Sequence, residues 1–164
     1  MGRRALLALL LLVVACGSVD ELNFGETTAG PSPVSTAPSD LPLPPSDPTV
    51  AAASRAYLDA NSAAIDVFYL ITDEVFLVDM GSDDAMKDQC TLISVRLDES
   101  VAVGTLVNVA LRLPDPVLVE LYLNSFAARA SALDACVTSD TGRMLAELQE
   151  ARRLDELITT RLSG

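Results

Sequence analysis

The sequence predicts an all-α domain, an antiparallel up-down-up-down four-helix bundle, carried on a disordered Pro/Ser/Thr-rich tether. Three observations predict it. Apolar residues in 49–164 recur at spacings of three and four, the repeat of one helix face. Asp47-Pro48 and Asp115-Pro116 each place a capping carboxylate before a proline suited to the first helical position. Seven of the nine prolines lie between Pro31 and Pro48, ahead of the first stripe. Such a segment buries too little apolar surface to offset the entropy of ordering.

In chain order, Arg3 and Arg4 precede Ala5–Ala15, eleven apolar residues without a charge. A basic start followed by a short apolar run has the layout of a secretory signal. Eleven residues fall short of the roughly 20 that a spanning helix requires. Val13-Val14-Ala15-Cys16-Gly17 resembles the lipobox of bacterial lipoprotein signal peptides. The resemblance covers about the first seventeen residues. It implies a signal peptide over 1–15, cleavage between Ala15 and Cys16, and a diacylglyceryl group on the Cys16 thiol. It therefore implies a lipid anchor in the bacterial cell membrane and a chain exposed on the extracytoplasmic face. Two acyl chains hold such an anchor firmly, since each buried methylene contributes about 0.8 kcal/mol.

The tether, 16–48, holds five acidic residues (Asp20, Glu21, Glu26, Asp40 and Asp47) and no basic one. An anionic lipid surface should repel it. At about 3 Å per residue it could reach roughly 100 Å from the membrane when fully extended.

Four helices are expected beyond it. Asp47-Pro48 starts the first. Tyr57, Ala64, Phe68, Ile71, Val75 and Val78 form its stripe, and Met80-Gly81 should end it. Ser82 should cap the second, with Asp83 and Asp84 in its first turn and Met86, Cys90, Ile93 and Leu97 facing inward. Val101–Leu113 reads two ways. Val107, Val109, Leu111 and Leu113 alternate as in a strand, whereas continuation of the second helix suits the cysteine pair better. The third helix follows Asp115-Pro116, with Leu118, Tyr122, Phe126, Ala130, Leu133 and Val137 on one side. After a polar break at 138–142, Leu145, Leu148, Leu154, Ile158 and Leu162 stripe the fourth. Arg152, Arg153 and Arg161 lie toward its C-terminal half, where the helix dipole favours cations.

Cys16 is taken by the lipid, which leaves Cys90 and Cys136. An even pair in an oxidising compartment reads as a disulfide. Their midpoint falls at residue 113, next to the expected turn at Leu113–Asp115. Equal rise along two antiparallel helices would bring both cysteines to one height.

Composition limits function. Removing Arg3 and Arg4 from 11 basic residues, against 23 acidic ones, moves the net charge from −12 to −14. Nucleic acid is a poor partner for such a chain. The chain has no histidine and no glycine-rich phosphate loop, so imidazole-based catalysis and metal ligation are excluded. Its one lysine, Lys87, lies between Asp84 and Asp88, which should act as salt-bridge partners. Asp59, Asp66 and Asp73 repeat every seven residues and read as a solvated helix face. Asp79, Asp83, Asp84 and Asp88 lack the oxygen spacing of a calcium loop and suit helix capping. Phe76 is off the main stripe and is expected against the fourth helix. No catalytic residue, metal site or cofactor is expected. The expected role is an interaction module for another envelope protein; the alternative is a ligand- or solute-binding lipoprotein with a small pocket between helices.

Overall fold

The computed structural model describes residues 46–164; the signal peptide, Ala15, Cys16 and the tether up to residue 45 lie outside the described residues. Among the described residues there are six α-helices, one 3-10 turn and no strand. The expected all-α class therefore holds.

Helix α1, Pro48–Asn61, begins where Asp47 accepts the Thr49 N–H at 2.7 Å. The expected first helix breaks at Ser62. There Asn61 Nδ2 donates to Tyr57 O and Ser62 Oγ donates to Asp66 Oδ2, each at 2.8 Å. Short polar side chains compete with the helical ladder in this way. Helix α2, Ala63–Asp73, buries Ile65, Phe68, Ile71 and Thr72, then tightens into the 3-10 turn Glu74–Leu77. It ends three residues before the expected Met80-Gly81 stop. Gly81 does not adopt the left-handed conformation. The Asp79 carboxylate accepts the Gly81 N–H at 2.9 Å, and Gln89 accepts the Asp79 N–H at 3.3 Å. A carboxylate, not a glycine, turns the chain here.

Helix α3, Asp83–Ser100, starts at Ser82, whose hydroxyl accepts the Ala85 N–H. Met86, Cys90, Ile93 and Leu97 face the core as expected. The helix does not run on to Leu113. Val101 and Ala102 are extended, and α4, Val103–Leu111, follows. Asp98 and Glu99 in the last turn of α3 oppose the dipole. Val101, at the extended break, is buried. The strand reading also fails, because Leu106 and Ala110, four apart, face the core and Leu111 faces solvent. Tyr57 Oη donates to Val109 O at 3.1 Å and ties α1 to α4.

Helix α5, Pro116–Val137, is the central element. It pairs along its length with α6, Thr141–Ser163, and also packs against α3 and α4. It is buried on most of its circumference, as a core helix should be. Ser139 turns the chain with φ 60°, and the Asp140 side chain accepts the Arg143 N–H to start α6. Met144, Leu148, Ala151, Leu154 and Ile158 form the inner face of α6; Leu145, expected there, is exposed. Cys90 of α3 and Cys136 of α5 are bonded, fully buried, with Cα atoms 5.8 Å apart.

Asp115 caps α5 through the Val117 N–H and also meets Arg161 Nε at 2.7 Å. It is 1% exposed. Burial pushes its carboxyl up, but Arg161 and the Val117 and Leu118 N–H groups outweigh burial and hold it below the usual carboxylate range. A depressed folded pKa adds stability above the unfolded value, and that stability is lost as pH falls through the folded one. Asp115→Asn is expected to cost about 2 kcal/mol at neutral pH. In thermal melts from pH 6 to pH 2, the gap to wild type should close below the carboxylate range. A gap independent of pH would reject the assignment.

Candidate functional site

Helix α5 contains only three charged residues, Glu120, Arg129 and Asp134. Arg129 is 4% exposed and forms the hub of a polar cluster. Nη1 donates to Asp73 Oδ1 at 2.5 Å and to Thr72 Oγ1 at 3.2 Å; Nη2 donates to Asp155 Oδ2 at 2.5 Å. The guanidinium carbon lies 4.1 Å from the centre of the Tyr69 ring. Burial alone would lower the Arg129 pKa, but the Asp73 and Asp155 carboxylates more than offset it and raise the value. A planar guanidinium can join two carboxylates and stack on a ring at once, which an ammonium cannot.

The second oxygen of Asp155 accepts Ser125 Oγ at 2.8 Å and Tyr69 Oη at 3.2 Å, and those two hydroxyls are 2.9 Å apart. Burial, with Asp155 adding to it, raises the Tyr69 pKa; Ser125 and Arg129 offset only part. Tyr122 is pushed up to about 12 by burial and then by Asp155 and Asp66. Both phenols stay protonated at any physiological pH.

Beside this cluster an open groove of about 390 Å³ runs between three helices. Helix α2 lines it with Ile65, Asp66, Tyr69 and Asp73, α5 with Tyr122 and Arg129, and α6 with Asp155, Ile158 and Thr159. The volume lies within the range of small-molecule pockets.

The expected solvated face of Asp59, Asp66 and Asp73 divides. Asp66 and Asp73 line the groove and Asp73 pairs with Arg129, while Asp59 takes no part. Phe76 packs toward α6 as expected, with Arg152 stacked 4.5 Å from its ring centre. Lys87 forms no ion pair with the expected Asp84 or Asp88 among the described residues; all three are exposed, where hydration competes with pairing. No group of three or more metal-ligating side chains occurs among the described residues, the run from Asp79 to Asp88 included. Cys90 and Cys136 do not line the groove. Arg129, Asp155, Ser125 and Tyr69 escape sequence reading. The available signal was one arginine in a helix otherwise almost free of charge.

Comparison with protein-family models, characterised proteins and solved structures finds no match for this chain. No helix among the described residues is long and apolar enough to cross a membrane.

Proposed function

We propose that this chain is a lipid-anchored, extracytoplasmic lipoprotein of a bacterial cell membrane, and that its helical domain is a non-catalytic interaction module for another envelope protein. The lipobox at Cys16 supports the anchor. We read the two broken arms, α1–α2 and α3–α4, followed by α5 and α6, as an up-down-up-down bundle.

One observation carries the protein-binding reading. Val67, Leu70 and Leu77 project from the outer side of α2 and the 3-10 turn, with Leu77 83% exposed. Leu92 and Val95 project from α3. The Glu74–Arg96 ion pair and the Asp79–Gln89 hydrogen bond set these segments antiparallel. That register brings Leu77 level with Leu92, on the side of the seam where Glu74 meets Arg96. Exposed apolar side chains gathered along one seam mark interaction surfaces. On a strongly acidic domain they have no role in solubility.

In-cell crosslinking of the full lipoprotein tests this. Leu77→Glu with Leu92→Glu alters only exposed positions and should leave the fold intact. One envelope protein is expected to co-purify with wild type and to be lost with this variant; recovery at the wild-type level would reject the strip as the docking face. In the same cells, Cys16→Ala should move the protein to the soluble fraction, and retention in the membrane would reject the lipid anchor.

The groove beside Arg129 supports a second reading, a ligand-binding lipoprotein, since a cavity with converging polar groups is what that role requires.

A further inference from the structure

The groove between α2, α5 and α6 has a definite charge. Three carboxylates, Asp66, Asp73 and Asp155, line it against one guanidinium, Arg129, leaving two negative charges in excess. Arg152 is held on the Phe76 ring and does not line it. Asp73 and Asp155 are occupied by Arg129. Asp66 is different: it is exposed and, among the described residues, its carboxylate accepts only the Ser62 hydroxyl, at its Oδ2 atom.

A second observation is independent of the acids. Tyr122 is 7% exposed and lines the groove, yet its hydroxyl makes no hydrogen bond among the described residues. The ring is held in the core while the hydroxyl opens into the groove, where no group among the described residues answers it. Being protonated, it can accept a hydrogen bond from a cation while donating its own proton elsewhere. Ile65 and Ile158 add apolar wall on two of the helices. A carboxylate with a free oxygen, an unpartnered phenol and isoleucine walls match an ammonium group on a short alkyl chain. An anion would meet the excess negative charge, and a neutral alkyl group would leave Asp66 and Tyr122 unanswered.

We propose that this groove binds an alkylammonium group, held by Asp66 and the Tyr122 hydroxyl with its carbon chain along Ile65 and Ile158. The proposal rests on the ligand-binding reading of the groove and is independent of the Leu77–Leu92 strip. The group could belong to a free amine or to a lysine side chain of a bound protein.

The chain has three tyrosines, and only Tyr57 lies outside the groove. Ring-selective 13C NMR of the full chain in neutral detergent therefore carries its own reference. Titration with n-butylammonium is expected to shift Tyr69 and Tyr122 saturably and to leave Tyr57 unmoved. Asp66→Asn should weaken binding about tenfold, the loss expected for one hydrogen bond to a charged group. Asp59→Asn, with the same change in net charge but outside the groove, should not. Shifts of equal size with 1-butanol or butyrate would overturn the cation assignment while leaving a ligand groove in place. Silence of Tyr69 and Tyr122 toward all three probes would overturn both. If the cation binds, Nα-acetyl-lysine methylamide separates the sources: comparable binding supports a protein lysine, and failure to bind supports a free amine.

Discussion

Arg129→Met is expected to destabilise the domain by about 3–5 kcal/mol, the cost of removing one partner from a buried ion pair. For a domain of this size that lowers the melting temperature by roughly 10–20 °C. The methionine fills most of the volume, so the loss is electrostatic. Asp155 keeps Ser125 and Tyr69 but loses its cation, and Tyr69 loses the guanidinium above its ring. Asp73 contributes less, since its side chain is 57% exposed and water can replace Arg129. Arg129→Lys should recover only part of the loss, because an ammonium cannot span Asp73 and Asp155 together. Adding Asp155→Asn to Arg129→Met should restore stability relative to the single variant, since it removes the uncompensated charge and keeps a hydrogen-bond acceptor for Ser125. Circular dichroism melts at pH 7 decide it. A single variant within about 1 kcal/mol of wild type would mean that the cluster is solvated and Arg129 is not its hub.

The second large effect concerns Cys90–Cys136. The bond spans a sequence separation of 46, so opening it returns about 4 kcal/mol of chain freedom to the unfolded state in the loop-entropy model. Both cysteines are fully buried, and Ala132 and Ala135 beside them leave α3 and α5 closely packed. Cys90→Ala with Cys136→Ala should therefore lower the melting temperature by roughly 10–20 °C while keeping the helical content. Reduction of the wild type should act in the same direction. Mass spectrometry after alkylation would verify that the thiols are free. Free thiols with an unchanged melting temperature would reject the bond as a source of stability.

These two sites tie α5 to different neighbours about two helical turns apart. The disulfide joins it to α3, and Arg129 joins it to α2 and α6. The groove lies at the level of Arg129. Its shape therefore depends on the same ion pairs that stabilise the helices around it, and a binding role there needs no hinge or lid.

Local chemistry was legible in the sequence. Asp47, Ser82 and Asp115 cap helices in the structure because a cap depends only on a side-chain oxygen and an amide two or three residues away. The inner face of α3 and most of that of α6 follow from spacing alone, because the helical repeat does not depend on neighbours. The all-α class follows from the same pattern. Helix ends were less legible. The breaks at Ser62 and at Val101–Ala102 arise where local hydrogen bonds, or acids at a helix end, compete with continuation. Apolar spacing does not weigh those terms against each other. The strand-like alternation of Val107, Val109 and Leu111 misleads for a related reason: α4 packs through Leu106 and Ala110 instead.

The groove is a product of tertiary structure. In sequence, Asp66 and Asp73 are two acids on a solvated face, Tyr122 is a stripe residue, and Asp155 is one polar position among many on α6. Only the packing of α2 and α6 on either side of α5 sets two carboxylates within 2.5 Å of one guanidinium. The sequence by itself determines helices, caps, cysteine pairing and the lipid-anchor expectation, because each rests on contacts close along the chain or on a pair of like residues. Tertiary structure decides which charges meet, since Asp73 and Asp155 lie 56 and 26 residues from Arg129 and no periodicity encodes a distance across that separation.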